Sequence, residues 1–299
     1  MIEYSKKAEQ TVKGFVKLND IKIFSGKGIE TNLNIYVSRL NGKEFDYLSL
    51  GRDLRAVLDS FVLSRKRIKK YESNKDYMEL SLEVRTKFRD SYANRGELGE
   101  LILYTFLEGH LQAPKILSKM SLKTSKNMYV NGADGIHFLK LKDDRYHLIY
   151  GESKMIADFT RGFTEACTSI KTFLDKNKGF ELGLIDSQLE NEILDKQDIE
   201  LISEILYPTK HQNQVVVADA FSIFIGFNLT IPNKWLLLSD EDYEKRVKGK
   251  IEKKIEKSVS KIEEIITKNS LLGKNFYIYI MPFTKLDETR KMVLEDIVK

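Results

Sequence analysis

Asn131-Gly132-Ala133-Asp134-Gly135 is followed, eighteen residues beyond Asp134, by Glu152-Ser153-Lys154. In an extended strand, residues two apart share a face about 6.6–7 Å from one another. Glu152 and Lys154 therefore point the same way, and Asp134 joins them if its own strand pairs with theirs. Two carboxylates and an ammonium converging on one point suit a hard divalent cation with a water beside it. That is the equipment for metal-assisted hydrolysis of a phosphodiester.

The elements that must position these groups are legible on either side. Asp134 to Leu141 and Arg145 to Ser153 read as strands, with the turn-formers Asp143 and Asp144 between them. A two-residue loop would pair Asp134 with Ser153 and send the two acids to opposite faces. A three-residue loop, Lys142 to Asp144, pairs Leu141 with Arg145 and Asp134 with Glu152, on one face. Since side chains alternate with period two, the metal reading requires the odd loop or a bulge. Gly132, Gly135 and Gly151 flank the acids and ease a bend or close approach there. Upstream, Arg95 to Leu111 reads as a helix apolar nearly all round, through Leu98, Leu101, Ile102, Leu103, Phe106 and Leu107, and such a helix is buried. It carries Glu97 and Glu100 at i and i+3, on one face. Buried carboxylates need a metal, a water or a cationic partner. Glu97 alone is explained by capping of the helix start, where acids favour the dipole, whereas Glu100 lies deeper.

A helix bearing Glu, a strand bearing Asp, a strand bearing Glu-x-Lys and a following helix resemble the core of the PD-(D/E)xK nuclease superfamily over roughly residues 91–230. Glu100 (or Glu97) matches the helix acid, Asp134 the first strand acid, and Glu152 with Lys154 the paired acid and lysine. Ala133 stands where the motif has Pro. The segments RGELGEL, NGADGIHF and YGESKM, in this order, are more narrowly similar to the Hachiman anti-phage nuclease subunit family (HamA). The resemblance implies a mixed α/β fold, a central sheet flanked by helices with an N-terminal extension. It also implies Mg²⁺ (or Mn²⁺) held by Asp134, Glu152 and the Ser153 carbonyl, with Glu100 holding a water or a second ion. Lys154 would position the attacking water and help deprotonate it, Glu97 being a possible accessory. DNA becomes the expected substrate, 5′-phosphate the product, and a helicase encoded beside the nuclease its partner. Spacing alone does not separate DNA from RNA, because the expected contacts are to backbone.

Composition sets outer limits. A chain of 299 residues, 42% hydrophobic, can bury a substantial core. With 31% charged residues, four prolines and no low-complexity run, it does not read as disordered. The single cysteine, Cys167, forms no internal disulfide and fits a reducing cytosol. Its neighbours Phe159, Phe163, Ile170 and Phe173, at helical spacing, make it a core residue. The start, MIEYSKKAEQ, lacks the apolar segment of a signal peptide. The longest apolar stretch, Val215 to Phe227, is interrupted by Asp219 and too short to span a bilayer. The expectation is a cytoplasmic protein.

The net charge of +5 is matched by one segment. Lys245 to Lys268 holds nine Lys or Arg against four Glu, and Val247, Ile251, Ile255, Val259, Ile262 and Ile266 recur at helical spacing. It reads as one amphipathic helix with a basic outer face, on which Lys250, Lys253, Lys254 and Lys257 are candidate contacts to nucleic acid or to a partner. Arg65, Lys66 and Arg67 open a second basic cluster. A solvated face is the alternative for both.

Residues 1–90 read as a family-specific region and possible docking surface: strands within Val12 to Phe24 and Leu33 to Val37, then helices Arg52 to Tyr71 and Tyr77 to Tyr92. Residues 91–299 read as the nuclease domain. It continues through helices Ala157 to Leu174 and Ser187 to Leu206, strands Ala220 to Phe227 and Phe276 to Pro282, and a closing helix Lys285 to Val298. There is no G-x-x-x-x-G-K-[ST], C-x-x-C or H-E-x-x-H, so nucleotide-driven work and zinc chemistry find no support. His137 and His147 read as a structural pair facing each other across the hairpin. The rival functions are an inert nuclease-fold adaptor and a restriction-type endonuclease with sequence specificity.

Overall fold

The computed structural model describes residues 3–91, 96–118, 132–142, 145–177, 195–206 and 216–299, with Met120, Gly183 and residues 189–190 between them. Tyr92, Arg95, Asn131, Asp143, Asp144, Ser187 and Val215, named above, lie outside the described residues.

The chain opens with helix α1 (Lys6–Val12), started by the Ser5 hydroxyl accepting the Ala8 N–H. Short strands β1 (Val16–Lys17) and β2 (Ile21–Ile23) precede β3 (Thr31–Val37) and a small hairpin of β4 (Leu40–Asn41) and β5 (Glu44–Phe45). The single helix expected over Arg52 to Tyr71 is instead α2 (Tyr47–Arg55), α3 (Leu58–Val62) and α4 (Arg65–Asn74). Side-chain caps set the starts of α2 and α4. Asp46 caps the Ser49 N–H at 2.9 Å and starts α2 early. Leu63 is extended, and the Ser64 hydroxyl accepts from Arg67 N–H at 3.3 Å to begin α4 afresh. Helix α5 (Tyr77–Ser91) follows as expected.

Helix α6 (Glu97–Gly109) is buried at every position, the outcome of its all-round apolar sequence. Gly109 lets α1 cross its end, for a Cβ there would lie 2.3 Å from the Ala8 carbonyl oxygen. Then come β6 (Lys115–Ser118), β7 (Gly135–Lys140) and β8 (Arg145–Met155). Helix α7 (Phe159–Thr172) runs into a π-helical turn, Phe173–Asn177, and is followed by α8 (Lys196–Leu206) and β9 (Val216–Asn228). A 3₁₀ turn, Asn233–Leu237, leads into α9 (Asp240–Glu256), α10 (Val259–Lys268), β10 (Asn275–Phe283) and α11 (Leu286–Ile297). The expected continuous basic helix is thus two. Ser239 starts it at Asp240, and at Ser258 the hydroxyl donates to the Lys254 carbonyl at 2.9 Å where the helix breaks.

Among the described residues, eight strands form one mixed sheet in the order β1-β3-β10-β9-β8-β7-β6, with β2 also on β3. Strands β3, β10, β9 and β8 are parallel; β7 and β6 continue antiparallel from β8. Residues Phe221 to Phe227 are buried without interruption, as expected of a parallel strand covered on both faces. Helix α6 covers one face, Phe106 stacking on Tyr279 at 4.8 Å. Helix α7 covers the other, with Phe159 against Phe227 at 5.4 Å. The chain is therefore a mixed α/β protein whose central sheet is flanked by helices, and β3 from the first ninety residues is part of that sheet.

Candidate active site

The hairpin register decides the site. Leu141 N–H donates to the Arg145 carbonyl at 2.7 Å, and Gly135 pairs with Gly151, so the odd-loop register holds and places Asp134 opposite Glu152. The same register corrects the histidine pair. His137 lies opposite Ile149 and His147 opposite Leu139, so the two are diagonal rather than facing. His137 Nδ1 meets the Ala113 carbonyl at 2.8 Å, and His147 Nδ1 the Tyr277 hydroxyl at 2.8 Å.

Strand β8 runs on to Met155 while its β7 partner begins only at Gly135, so residues 152–155 overhang the β7 edge. The Ser153 N–H, which has no strand partner on that edge among the described residues, donates to Asp134 Oδ2 at 2.8 Å, and the Ser153 hydroxyl donates to the same oxygen at 2.9 Å. Across the strand, Lys154 Nζ donates to Glu152 Oε1 at 2.5 Å. Asp134, Glu152 and Lys154 line a cleft of about 350 Å³, walled by Gly132, Ala133 and the end of α7 at Thr168, Ser169 and Thr172. Glu152 is 9% exposed. Its burial and the nearby Asp134 charge push its carboxyl well above the usual carboxylate range, against the pull of the Lys154 ammonium and the Ser169 hydroxyl. Ser169 is a site residue that the sequence reading missed. It lies among Thr164, Thr168 and Thr172, a polar run on an otherwise amphipathic helix, and that run was the available signal.

Helix α6 approaches from the other face of β8. A Cβ on Gly99 would lie 3.2 Å from Ser153 Oγ and 3.3 Å from Met155 Cγ, which explains the glycine inside this helix. Glu97 and Glu100 are both buried, 1% and 7% exposed, in the first turn of α6, where Gly96 provides no side-chain cap. Glu100 and Asp134 line a second, small recess with Gly135 and His137, and Glu97 does not reach it. Asp134 thus stands at the strand end between Glu152 on one side and Glu100 on the other. Among the described residues, no group of three His, Cys, Asp or Glu is gathered tightly enough to hold a metal as it stands. The fit to Mg²⁺ rests on donor chemistry. Asp134 and Glu152 are hard carboxylate oxygens on one cleft; burial first and the Asp134 charge second raise the Glu152 carboxyl, and a divalent cation would relieve the repulsion between the two.

Of the two basic clusters, the first is largely committed internally. Arg65 donates to the Lys115 carbonyl at 2.5 Å and pairs with buried Glu108 at 3.3 Å, and Arg67 pairs with Glu83 at 3.0 Å. Lys253, Lys254 and Lys257 of the second cluster are exposed, and Lys250 is half-buried. Cys167 is fully buried, its thiol pushed up to about 12 by that burial.

These features define a mixed α/β protein with a carboxylate–lysine cleft at the overhanging edge of its parallel strands. The chain belongs to the HamA family, whose model matches residues 13–297. It is accordingly a component of a Hachiman anti-phage defence system. No curated protein matches the chain in sequence. Among the described residues, no helix is long and apolar enough to cross a membrane.

Proposed function

We propose that this chain is the nuclease of its defence system, a metal-dependent deoxyribonuclease of the PD-(D/E)xK type restrained by a partner helicase. The observation that carries the reading is the convergence of Asp134, Glu152 and Lys154 on one cleft at the β8 overhang. Asp134 and Glu152 are the residues that would hold Mg²⁺ or Mn²⁺, with the Ser153 carbonyl and Glu100 as further oxygen donors. When bound, the ion supplies neutralisation of the charge that develops on the phosphate. The chain's own residues do the rest. Ser153 fixes Asp134 from two donors, and Ser169 orients Glu152. Lys154 positions the attacking water, helps remove its proton, and offers positive charge to the phosphate.

Purified protein, with its partner where one is required, should degrade DNA in Mg²⁺ and stop in EDTA. Glu152→Ala and Lys154→Ala should each abolish cleavage while leaving the melting temperature near that of the parent. Full cleavage by a folded Glu152→Ala protein would remove the assignment. The reading of an inert adaptor takes its support from the Lys154–Glu152 ion pair, which occupies both groups; metal-stimulated cleavage excludes it.

Restraint is proposed from family membership and from a missing motif. A nuclease that contacts backbone would damage its own genome, and the chain has no phosphate-binding loop with which to sense anything through ATP. The helicase supplies that sensing. Co-purification followed by DNA degradation with an ATPase-dead helicase tests it: the expected result is a complex that fails to cut. Equal cleavage with the dead ATPase, or no association, removes the regulatory half alone.

A further inference from the structure

A second surface lies beyond the cleft. The 3₁₀ turn Asn233–Leu237 and the outer face of α9 enclose a groove of about 960 Å³. It is lined by Lys245, Arg246, Lys250, Lys253, Lys254 and Lys257, with Asp242 as the acid among its lining residues. Among the described residues no carboxylate pairs with those six cations; the ion pairs this helix makes, Lys248–Glu244 at 2.6 Å and Asp240–Lys43 at 3.7 Å, lie off the groove. The inward side of α9, Tyr243, Val247, Ile251 and Ile255, is buried, so the basic face cannot turn away. Trp235 sits against it half-buried, with Arg246 and Lys250 over its ring at 6.0 and 5.6 Å. Leu237, 90% exposed, stands two residues beyond it.

Arg246, Lys250 and Lys254 follow one another at four-residue steps, roughly 6 Å apart along the helix axis, with Lys253 and Lys257 in the adjoining row. A line of cations one turn apart, interleaved with a flat ring, matches a polymer whose anions repeat and whose neutral groups are flat. A single nucleic-acid strand has that form, while an acidic protein surface does not repeat a flat group with each anion. A duplex keeps its bases stacked inside and leaves Trp235 and Leu237 unused. Among the described residues Ser258 is the one hydroxyl lining the groove, which leaves little to read a ribose 2′-OH.

We propose that this groove binds single-stranded DNA, phosphates along α9 and a base on Trp235. The entering phosphate draws Arg246 and Lys250 toward itself and leaves the ring face to the base. The groove lies close to the cleft: Lys254 sits over Phe227 at 5.5 Å, Phe227 is two residues along β9 from Ile225, and Ile225 is the register partner of Lys154. The inference deepens the nuclease reading and rests on it only in treating the bound strand as substrate.

Trp235 is the chain's one tryptophan, so its fluorescence reports this groove alone. In EDTA, titration with a dT₂₀ oligonucleotide should quench it, whereas a duplex of the same length and poly-glutamate of equal charge should bind at least tenfold more weakly. In anisotropy with labelled dT₂₀, Trp235→Ala should weaken binding roughly tenfold, and Trp235→Phe should recover most of the loss, which excludes simple misfolding. The proposal is overturned by dT₂₀ binding that leaves the fluorescence unchanged, by duplex or poly-glutamate binding as tightly, by rU₂₀ binding more tightly than dT₂₀, or by an unaffected Trp235→Ala. A protein that quenches with dT₂₀ in EDTA yet never cuts in Mg²⁺ keeps the groove and loses the nuclease reading; one that cuts without quenching does the reverse.

Discussion

Ser153 holds Asp134 twice, through its backbone N–H at 2.8 Å and its hydroxyl at 2.9 Å, both to Oδ2. The backbone donor survives substitution by any residue other than proline, so the two contributions can be separated. Ser153→Ala should lower the cleavage rate about fivefold, the equivalent of one hydrogen bond near 1 kcal/mol, with Asp134→Ala far more severe. A Ser153→Ala protein as active as the parent would show that the hydroxyl does not position Asp134.

Glu108 concerns stability rather than chemistry. Fully buried, it accepts the Ser5 and Lys115 N–H groups, each at 2.6 Å, and pairs with Arg65. Lys115, itself buried, donates its ammonium to the Ser60 and Leu63 carbonyls at 2.8 and 3.0 Å. Glu108→Ala strands these donors and should cost about 3–5 kcal/mol in denaturant unfolding. Arg65→Ala should likewise lower stability while leaving DNA affinity unchanged. A loss of DNA affinity without a loss of stability would return Arg65 to the surface contacts.

His137 sets an acid limit. Burial holds its imidazole down to about 3, against an ordinary value of 6.5, despite the bond to the Ala113 carbonyl. A depressed folded value means that the stabilising contribution is fully present above 6.5 and is lost as pH falls toward 3. Stability should therefore drop by about 2–3 kcal/mol between pH 6.5 and 4.5. His137→Asn, which can still donate to Ala113, should flatten that slope in urea titrations across the range. An unchanged slope assigns the acid sensitivity to other groups.

Charge reversal tests the α9 surface by salt. Changing Lys250, Lys253, Lys254 and Lys257 to Glu should weaken DNA binding and make the slope of log affinity against log salt shallower, by roughly 0.7 for each lost contact to a single strand. Unchanged affinity together with an unchanged slope would leave the helix a solvated face.

The hairpin register was legible because alternation leaves two choices, and one of them separates the acids. The buried helix was legible because its apolar residues circle the axis. Helix breaks at Ser64 and Ser258 were not, since each turns on one hydroxyl choosing between caps and carbonyls within an unbroken amphipathic pattern. Lysines are almost never fully buried unless paired, and the burial of Lys115 depends on the Ser60 and Leu63 carbonyls, brought from more than fifty residues away. Ser153 was singled out for its carbonyl, and its hold on Asp134 appears only once β7 is seen to start at Gly135. Trp235 carries no motif, and it becomes informative through the 3₁₀ turn that lays it on α9.

The overhang of β8 carries a hazard of its own. A strand left bare along one side is a template on which a second chain can add a strand. Asp134 fills the bare N–H of Ser153 with a charge, so the carboxylate proposed to work on a phosphodiester also guards the sheet from its own kind. Asp134→Ala should therefore promote self-association as well as remove the proposed cleavage, and the two losses should arrive together.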